Sequence, residues 1–305
     1  MKQQLLSIIR NILGINALDR KLETSMRLNA QLITNQHINN NPSINSINQV
    51  EYKVFSEWGD DGIIQYLTQK IPTKNRFFVE FGVENYQESN TRFLLTQSNW
   101  QGLILDGSSA HIAAIQSAHY YFKYDLTAVC AFITAENINQ LFQQNNVPAR
   151  VGLLSIDIDG NDYWVWKSIQ SIDADIVITE YNSLFGNEIA ITIPYQADFS
   201  RVQAHYSSLY WGASLPALCQ LADEKGYAFM GCNNNANNAY FVKKEMLSYI
   251  PNLKPLSPQE GYKESRFRQS RDKNGNLTYL SNSDARKLIS GMPVFDITKN
   301  QLITL

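Results

Sequence analysis

Gly152–Ile158 (GLLSIDI) is a short run of Leu and Ile that breaks into the polar cluster Asp159-Gly160-Asn161-Asp162. A run of this length, bounded by glycine on both sides, predicts a strand buried on both faces. Three other segments are built the same way: Arg76–Phe81 (RFFVEF), Gly102–Asp106 (GLILD) and Asp175–Glu180 (DIVITE). Helical spacing fills the intervals at Thr91–Ser98, His111–Ser117, Ile138–Asn145 and Tyr163–Ile169. Asp60–Lys70, with acids in its first turn, precedes the first strand. Leu215–Lys225, stopped by Gly226, follows the fourth of these runs. Tyr120–Leu126, Tyr227–Met230 and Ala239–Lys243 read as further strands. Strands alternating with helices predict an α/β fold, a parallel sheet with helices on both faces and right-handed crossovers. Ligands of such sheets bind outside the carboxyl ends of the strands.

Those ends are acidic. Glu80 closes the first strand, with Gly82, Asn90 and Thr91 after it; Asp106 closes the second, Asp125 the third, Asp157 and Asp159 the fourth, and Glu180 and Asn182 the fifth. Unpaired buried carboxylates are costly, so this series predicts a shared crevice for a polar or cationic ligand. Asp106 follows Glu80 by 26 residues, near the offset of roughly 20 at which an acid holds ribose hydroxyls. Gly82 would let the backbone approach a ligand. One glycine stands where a pyrophosphate cradle wants three, which argues against NAD or FAD. S-adenosylmethionine has no phosphate and carries a positive charge, and it suits the acids better. Asp157 and Asp159, two apart on a predicted strand, should share a face. With Glu180 and Asn182 they form an oxygen-rich cluster, so Asp157, Glu180 and Asn182 are candidate ligands for Mg²⁺. Such an ion would lower the pKa of an acceptor hydroxyl. Without it, a carboxylate or an imidazole must take the proton. Asp159 is the candidate carboxylate. Among the four histidines (His37, His111, His119 and His205), His205 is the candidate imidazole, because it follows the strand end that should hold the acceptor.

Phe78–Leu95 (FVEFGVENYQESNTRFLL), Trp100–Ser108 (WQGLILDGS) and Leu153–Trp166 (LLSIDIDGNDYWVW) together resemble FkbM-type S-adenosylmethionine-dependent methyltransferases. The resemblance spans Phe77–Asn182. It implies a Rossmann-like class I methyltransferase sheet flanked by helices, with cofactor contacts at Glu80, Gly82, Asn90, Thr91 and Asp106. Asp125 and Asp157, at the neighbouring strand ends, complete the candidate cofactor set. Val83-Glu84-Asn85 departs from the wider methyltransferase pattern by replacing a second glycine. Leu209–Val242 is similar to the tail of a subgroup linked with bacterial surface-polysaccharide assembly, which implies O-methylation of a sugar in a glycan or its precursor. The other readings are a different nucleotide-sugar-modifying enzyme of Rossmann type and a non-catalytic assembly partner.

The remaining sequence frames this centre. A helical arm and an Asn-rich linker are expected over residues 1–50, the methyltransferase domain over 51–250, and a C-terminal extension with a hairpin and a short helix over 251–305. Residues 1–50 hold five basic and two acidic side chains and residues 251–305 nine and five, so the centre is acidic. An acidic centre does not suit nucleic acid. The amphipathic spacing at the N-terminus predicts self-association or contact with a membrane surface. Three cysteines without a C-x-x-C pair fit a reducing compartment, and a cytoplasmic protein, peripheral at the inner membrane through its arm, is expected. The aromatic stretch Tyr181–Trp211 suits a lid over a glycan. Arg266, Arg268 and Arg271 are candidates to meet an acidic or nucleotide-linked sugar.

Overall fold

Five apolar runs become parallel strands: β1 (Phe77–Phe81), β2 (Gln101–Asp106), β3 (Leu126–Cys130), β4 (Arg150–Ile156) and β5 (Asp173–Glu180). After the short β6 (Ile191–Thr192) come β7 (Tyr227–Cys232) and β8 (Asn238–Lys243), then β9 (Pro293–Asp296) and β10 (Gln301–Thr304). The computed structural model describes residues 14–39, 43–266 and 269–305, without the side chain of residue 16. Most of the predicted amphipathic segment (residues 1–13) and Arg268 lie outside the described residues.

The central sheet has seven strands in the order β3-β2-β1-β4-β5-β8-β7. Beyond β5 the chain reverses: β8 is antiparallel both to β5 and to β7. The chain steps outward from β1 to β3 and returns to β4, so a topological switch lies between β1 and β4. The fold is thus the mixed α/β, Rossmann-like sheet expected.

Strand side chains alternate between two cores. Phe78, Ile104, Leu153 and Ile176 face the helices α2 (Asp60–Lys70), α3 (Arg92–Ser98) and α4 (Ser109–Gln116), which follow α1 (Ile15–Asn39). Val79, Leu103, Leu154 and Val177 face α5 (Ile138–Gln144) and α6 (Asp162–Ser168) and, beyond the short α7 (Arg201–Ala204), α8 (Leu215–Glu224). Asp60, at the start of α2, is fully buried and accepts hydrogen bonds from Asn233 (3.1 Å), Asn238 (3.1 Å) and Tyr240 (2.5 Å). This single carboxylate fastens the helix to the β7–β8 hairpin.

Two expectations change. The third strand lies at Leu126–Cys130 instead of Tyr120–Leu126. Consecutive turn bonds, Tyr121 N–H to Ala118 and Lys123 N–H to Tyr120, hold the aromatic run out of the sheet. Tyr120 packs on Tyr86 instead, 6.1 Å between ring centres. The fourth strand ends at Ile156, so Asp157 and Asp159 lie on a turn, with Asp159 at φ +56°.

Residues 183–211 and 265–305 meet over the sheet. There β6 and β10 flank β9, and Ile191, Ile193, Tyr210, Ile289 and Val294 form a separate small core. The C-terminal segment, which also carries α9 (Pro258–Gly261) and α10 (Asn282–Ile289), is therefore woven into the chain after β5. On the other side, α1 buries Ala30 and Thr34, and its Glu23 pairs with Arg92 at 3.5 Å. Its outer face leaves Leu18, Leu22, Leu28 and Leu32 more than half exposed. Among the described residues no helix is long and apolar enough to cross a membrane.

Candidate functional site

A cavity of about 650 Å³ lies at the carboxyl ends of β1, β2, β4 and β5. Its floor is the set of strand ends; its roof comes from residues 183–211 and 265–285.

At the end of β1, Glu80 is buried and accepts from Ser89 Oγ (2.7 Å), Asn90 N (2.8 Å), Thr91 N (3.1 Å) and Thr91 Oγ1. Burial raises its pKa and these bonds oppose the rise. Glu80 thus shapes the Ser-Asn-Thr turn. Thr91, fully buried, reaches Glu80 and Tyr86 but not the cavity wall. Asn90 does line the wall and donates to Ser155 Oγ at 3.1 Å. Gly82 sits at φ +66°, and a side chain there would run into the carbonyl oxygen of Asp157. Glycine is required here because the β4 turn passes so close.

At the end of β2, Asp106 lines the cavity. Its carboxylate accepts from Glu84 N (2.8 Å) and Ser108 N (2.8 Å), and His111 Nδ1 lies 3.2 Å away. Asp125 is not in this neighbourhood. With β3 shifted, it precedes the strand instead of following it, and it accepts from Gln101 Nε2 at 2.7 Å. Phe132 and Ile133, after β3, bring apolar faces to the wall.

At the ends of β4 and β5, oxygens of Asp157, Asp159 and Glu180 lie within 4.8 Å of one another. Asp162 holds the turn that carries the first two, accepting from Ile158 N and Gly160 N, each at 2.9 Å. Among the described residues, one oxygen of Glu180 is buried without a hydrogen-bond partner. Burial, then the neighbouring acids, push Asp157 and Glu180 well above the usual carboxylate range; Arg201 opposes this weakly. Arg201 pairs with Asp159, donates to the Ser208 carbonyl (3.2 Å) and lies 5.3 Å over the Trp211 ring. Two carboxyls so placed can share a proton, accept one from a ligand, or hold a cation.

Asn182 is buried beside this cluster, with both of its amide N–H groups engaged and its oxygen already accepting one bond. It donates to the carbonyls of Leu209 (3.0 Å) and Trp211 (2.9 Å) and accepts from Leu184 N (3.0 Å). It fastens the roof, and Asp159 takes its expected place in the cluster. His205 is turned away from the wall, with Nδ1 2.6 Å from Ser207 Oγ, and burial lowers its pKa. Of the expected aromatic lid, Phe185, Phe199 and Tyr210 pack into the small core, while Tyr181 and Trp211 reach the cavity. Arg271 lines the wall; Arg266 is not part of it, and Arg268 lies outside the described residues.

Sequence reasoning missed Arg201, four residues before His205 in a stretch already singled out, and Glu57 and Trp58 at the rim. Trp58 follows the buried Ser56, whose N–H and hydroxyl both bind Asp61 at 2.7 Å.

No protein-family model matches the chain, and no curated protein does. Solved structures are similar in outline. The N-terminal domain of EvdMO1 with SAH bound superimposes at a TM-score of 0.39 and 10% identity, over 60% of this chain and 79% of that one. The plantazolicin methyltransferase BamL, in complex with a triazolic desmethylPZN analog and SAH, does so at 0.35 and 14%, over 70% and 79%. Precorrin-6y C5,15-methyltransferase from Geobacter metallireducens GS-15 does so at 0.36 and 10%, over 63% and 90%. These are loose superpositions, and the strand order itself defines the fold.

Proposed function

We propose that this chain transfers the methyl group of S-adenosylmethionine to a sugar hydroxyl of a surface glycan or its precursor. The observation that carries the reading is Asp106. Its carboxylate stands at the end of β2, held by two backbone N–H groups, on the wall of a cavity beside the β1/β4 switch. That is where an acid can accept both hydroxyls of a ribose. Phe132 and Ile133 offer an apolar face for the adenine, and the acids at the β4 and β5 ends suit the sulfonium charge. The glycan setting rests on the resemblance of Leu209–Val242.

Bound in this cavity, S-adenosylmethionine would supply an electrophilic methyl group, whose carbon would pass to the acceptor oxygen while its sulfur kept the electron pair of the broken carbon–sulfur bond. The hydroxyl proton goes to the Asp157–Glu180 pair, whose raised affinity for protons matches the task. Asp159, held by Arg201, borders the pair. His205 has no place in this step.

The unpartnered Glu180 oxygen also supports a cation as the means of relieving the same repulsion. Asp157, Asp159 and Glu180 would hold Mg²⁺, which would lower the pKa of the acceptor hydroxyl. Loss of activity in EDTA and its return with Mg²⁺ selects this version; indifference to both selects the proton-accepting pair.

The first test is calorimetric titration with S-adenosylmethionine and S-adenosylhomocysteine. Wild type should bind both, and Asp106→Ala should weaken binding roughly 10- to 100-fold, the scale of charged hydrogen bonds lost. A folded wild type that binds neither ends the methyltransferase reading.

A further inference from the structure

We infer that the roof of the cavity reads a negatively charged group on the acceptor, with Arg271 as the specificity-determining residue. The inference rests on the acceptor entering this cavity, as proposed above.

Charge on the wall is segregated. The floor brings Glu80, Asp106, Asp157, Asp159 and Glu180, and the loops beside it bring Glu57, Glu84 and Glu88. The roof brings two arginines, Arg201 and Arg271. They differ in what they already bind. Arg201 is paired with Asp159 and is the cation that opposes the raised proton affinity of Asp157 and Glu180. Arg271 has no carboxylate within ion-pair distance among the described residues. Among the described residues its guanidinium donates from Nη1 to the Gly275 carbonyl, at 2.8 Å within its own turn. Its charge is therefore not consumed in balancing the floor.

Nor is Arg271 a side chain on a slack loop. Its N–H donates to the Ser207 carbonyl (3.3 Å), and it faces Leu277 across a bridge. Asp272 closes the turn by accepting from Asn274 N (2.8 Å) and Asn276 N (2.9 Å). Next to it the buried Ser270 bonds Thr278, hydroxyl to hydroxyl at 2.7 Å. The hairpin thus sets Arg271 on the cavity wall from a fixed base. A guanidinium so placed binds carboxylate or phosphate with two parallel N–H bonds. The acidic floor repels the same group. An anionic acceptor would therefore enter with its charge at the roof and its hydroxyl toward Asp157 and Glu180, so segregation sets orientation as well as choice.

The full chain is titrated, with and without S-adenosylhomocysteine, with three probes: glucuronate, glucose 1-phosphate and methyl glucoside. Saturation-transfer NMR follows binding. At least one anionic probe should bind roughly 10-fold or more tightly than methyl glucoside. The tighter anion tells a carboxylate from a phosphate. Arg271→Gln should abolish the preference while S-adenosylhomocysteine binds as before; Arg271→Lys, which keeps the charge but loses the fork, should retain part of it. Equal binding of all three probes by wild type, or an undiminished preference in a folded Arg271→Gln, overturns the inference. Failure of wild type to bind S-adenosylhomocysteine counts against the methyltransferase reading alone, since the anion preference is read without it.

Discussion

Glu80 accepts four hydrogen bonds from the turn that follows it, whereas Glu180 keeps an oxygen without a partner. The two glutamates should therefore respond oppositely to the same change. Glu80→Gln places an amide NH₂ against donors and should cost about 1–3 kcal/mol, read as a lower Tm. Glu180→Gln removes one of several repelling acids, so stability should hold or rise, while turnover falls roughly 10²- to 10⁴-fold. The pH dependence follows from the direction of the shift. A base whose pKa is raised must lose its proton to act, so kcat/KM should climb with pH beyond the ordinary carboxylate range, and Glu180→Gln should flatten the climb. Over that window the folded chain holds more protons than the unfolded one, so stability should decline as pH rises; urea titrations at several pH values check this. Gly82→Ala should prevent stable folding, since its side chain would meet the Asp157 carbonyl. Glu80, Gly82, Asp106, Asp157 and Glu180 were legible because a strand end and a close-approach glycine are local signals. Asn182 was named as well, but its bonds to the carbonyls of Leu209 and Trp211 were not legible, nor was Arg201, which pairs with the turn at Asp159 far along the chain.

Among the elements, α2 is joined to the β7–β8 hairpin through the carboxylate of Asp60. Asp60→Ala would leave Asn233, Asn238 and Tyr240 buried around a void, and should destabilise by about 3 kcal/mol or more, measured by urea unfolding. The two faces of α1 predict a contrast: Ala30→Glu should be strongly destabilising, whereas Leu22→Glu should change stability by less than about 0.5 kcal/mol. Equal effects on Tm would mean that the outward face is covered. The buried strands of the central sheet could be read because continuous apolar runs announce them. β3 was misplaced since the aromatics of residues 120–124 have high strand propensity but pack from turns, with Tyr120 against Tyr86. β6, β9 and β10 span only two to four residues, and β6 meets β9 across about a hundred positions, so no sustained local pattern marks them.

At the scale of the whole molecule, cofactor binding should be visible as stability. If S-adenosylhomocysteine occupies the cavity, a concentration 100-fold above Kd should add about 2.7 kcal/mol and raise Tm by several degrees, a shift absent in Asp106→Ala. The sequence could place the floor of the cavity and point to Tyr181–Trp211 above it, but not the meeting of residues 183–211 with the C-terminal segment that completes the roof. That division separates two kinds of heredity within one chain. Under the proposed function, changes on the floor would alter how the reaction is run, and changes on the roof would alter what is admitted to it. Under that reading residues 183–211 and 269–305, replaced together so that the β6–β9 pairing is kept, would be the unit for redirecting the protein to new acceptors, and a graft confined to either one would leave the other without its partner.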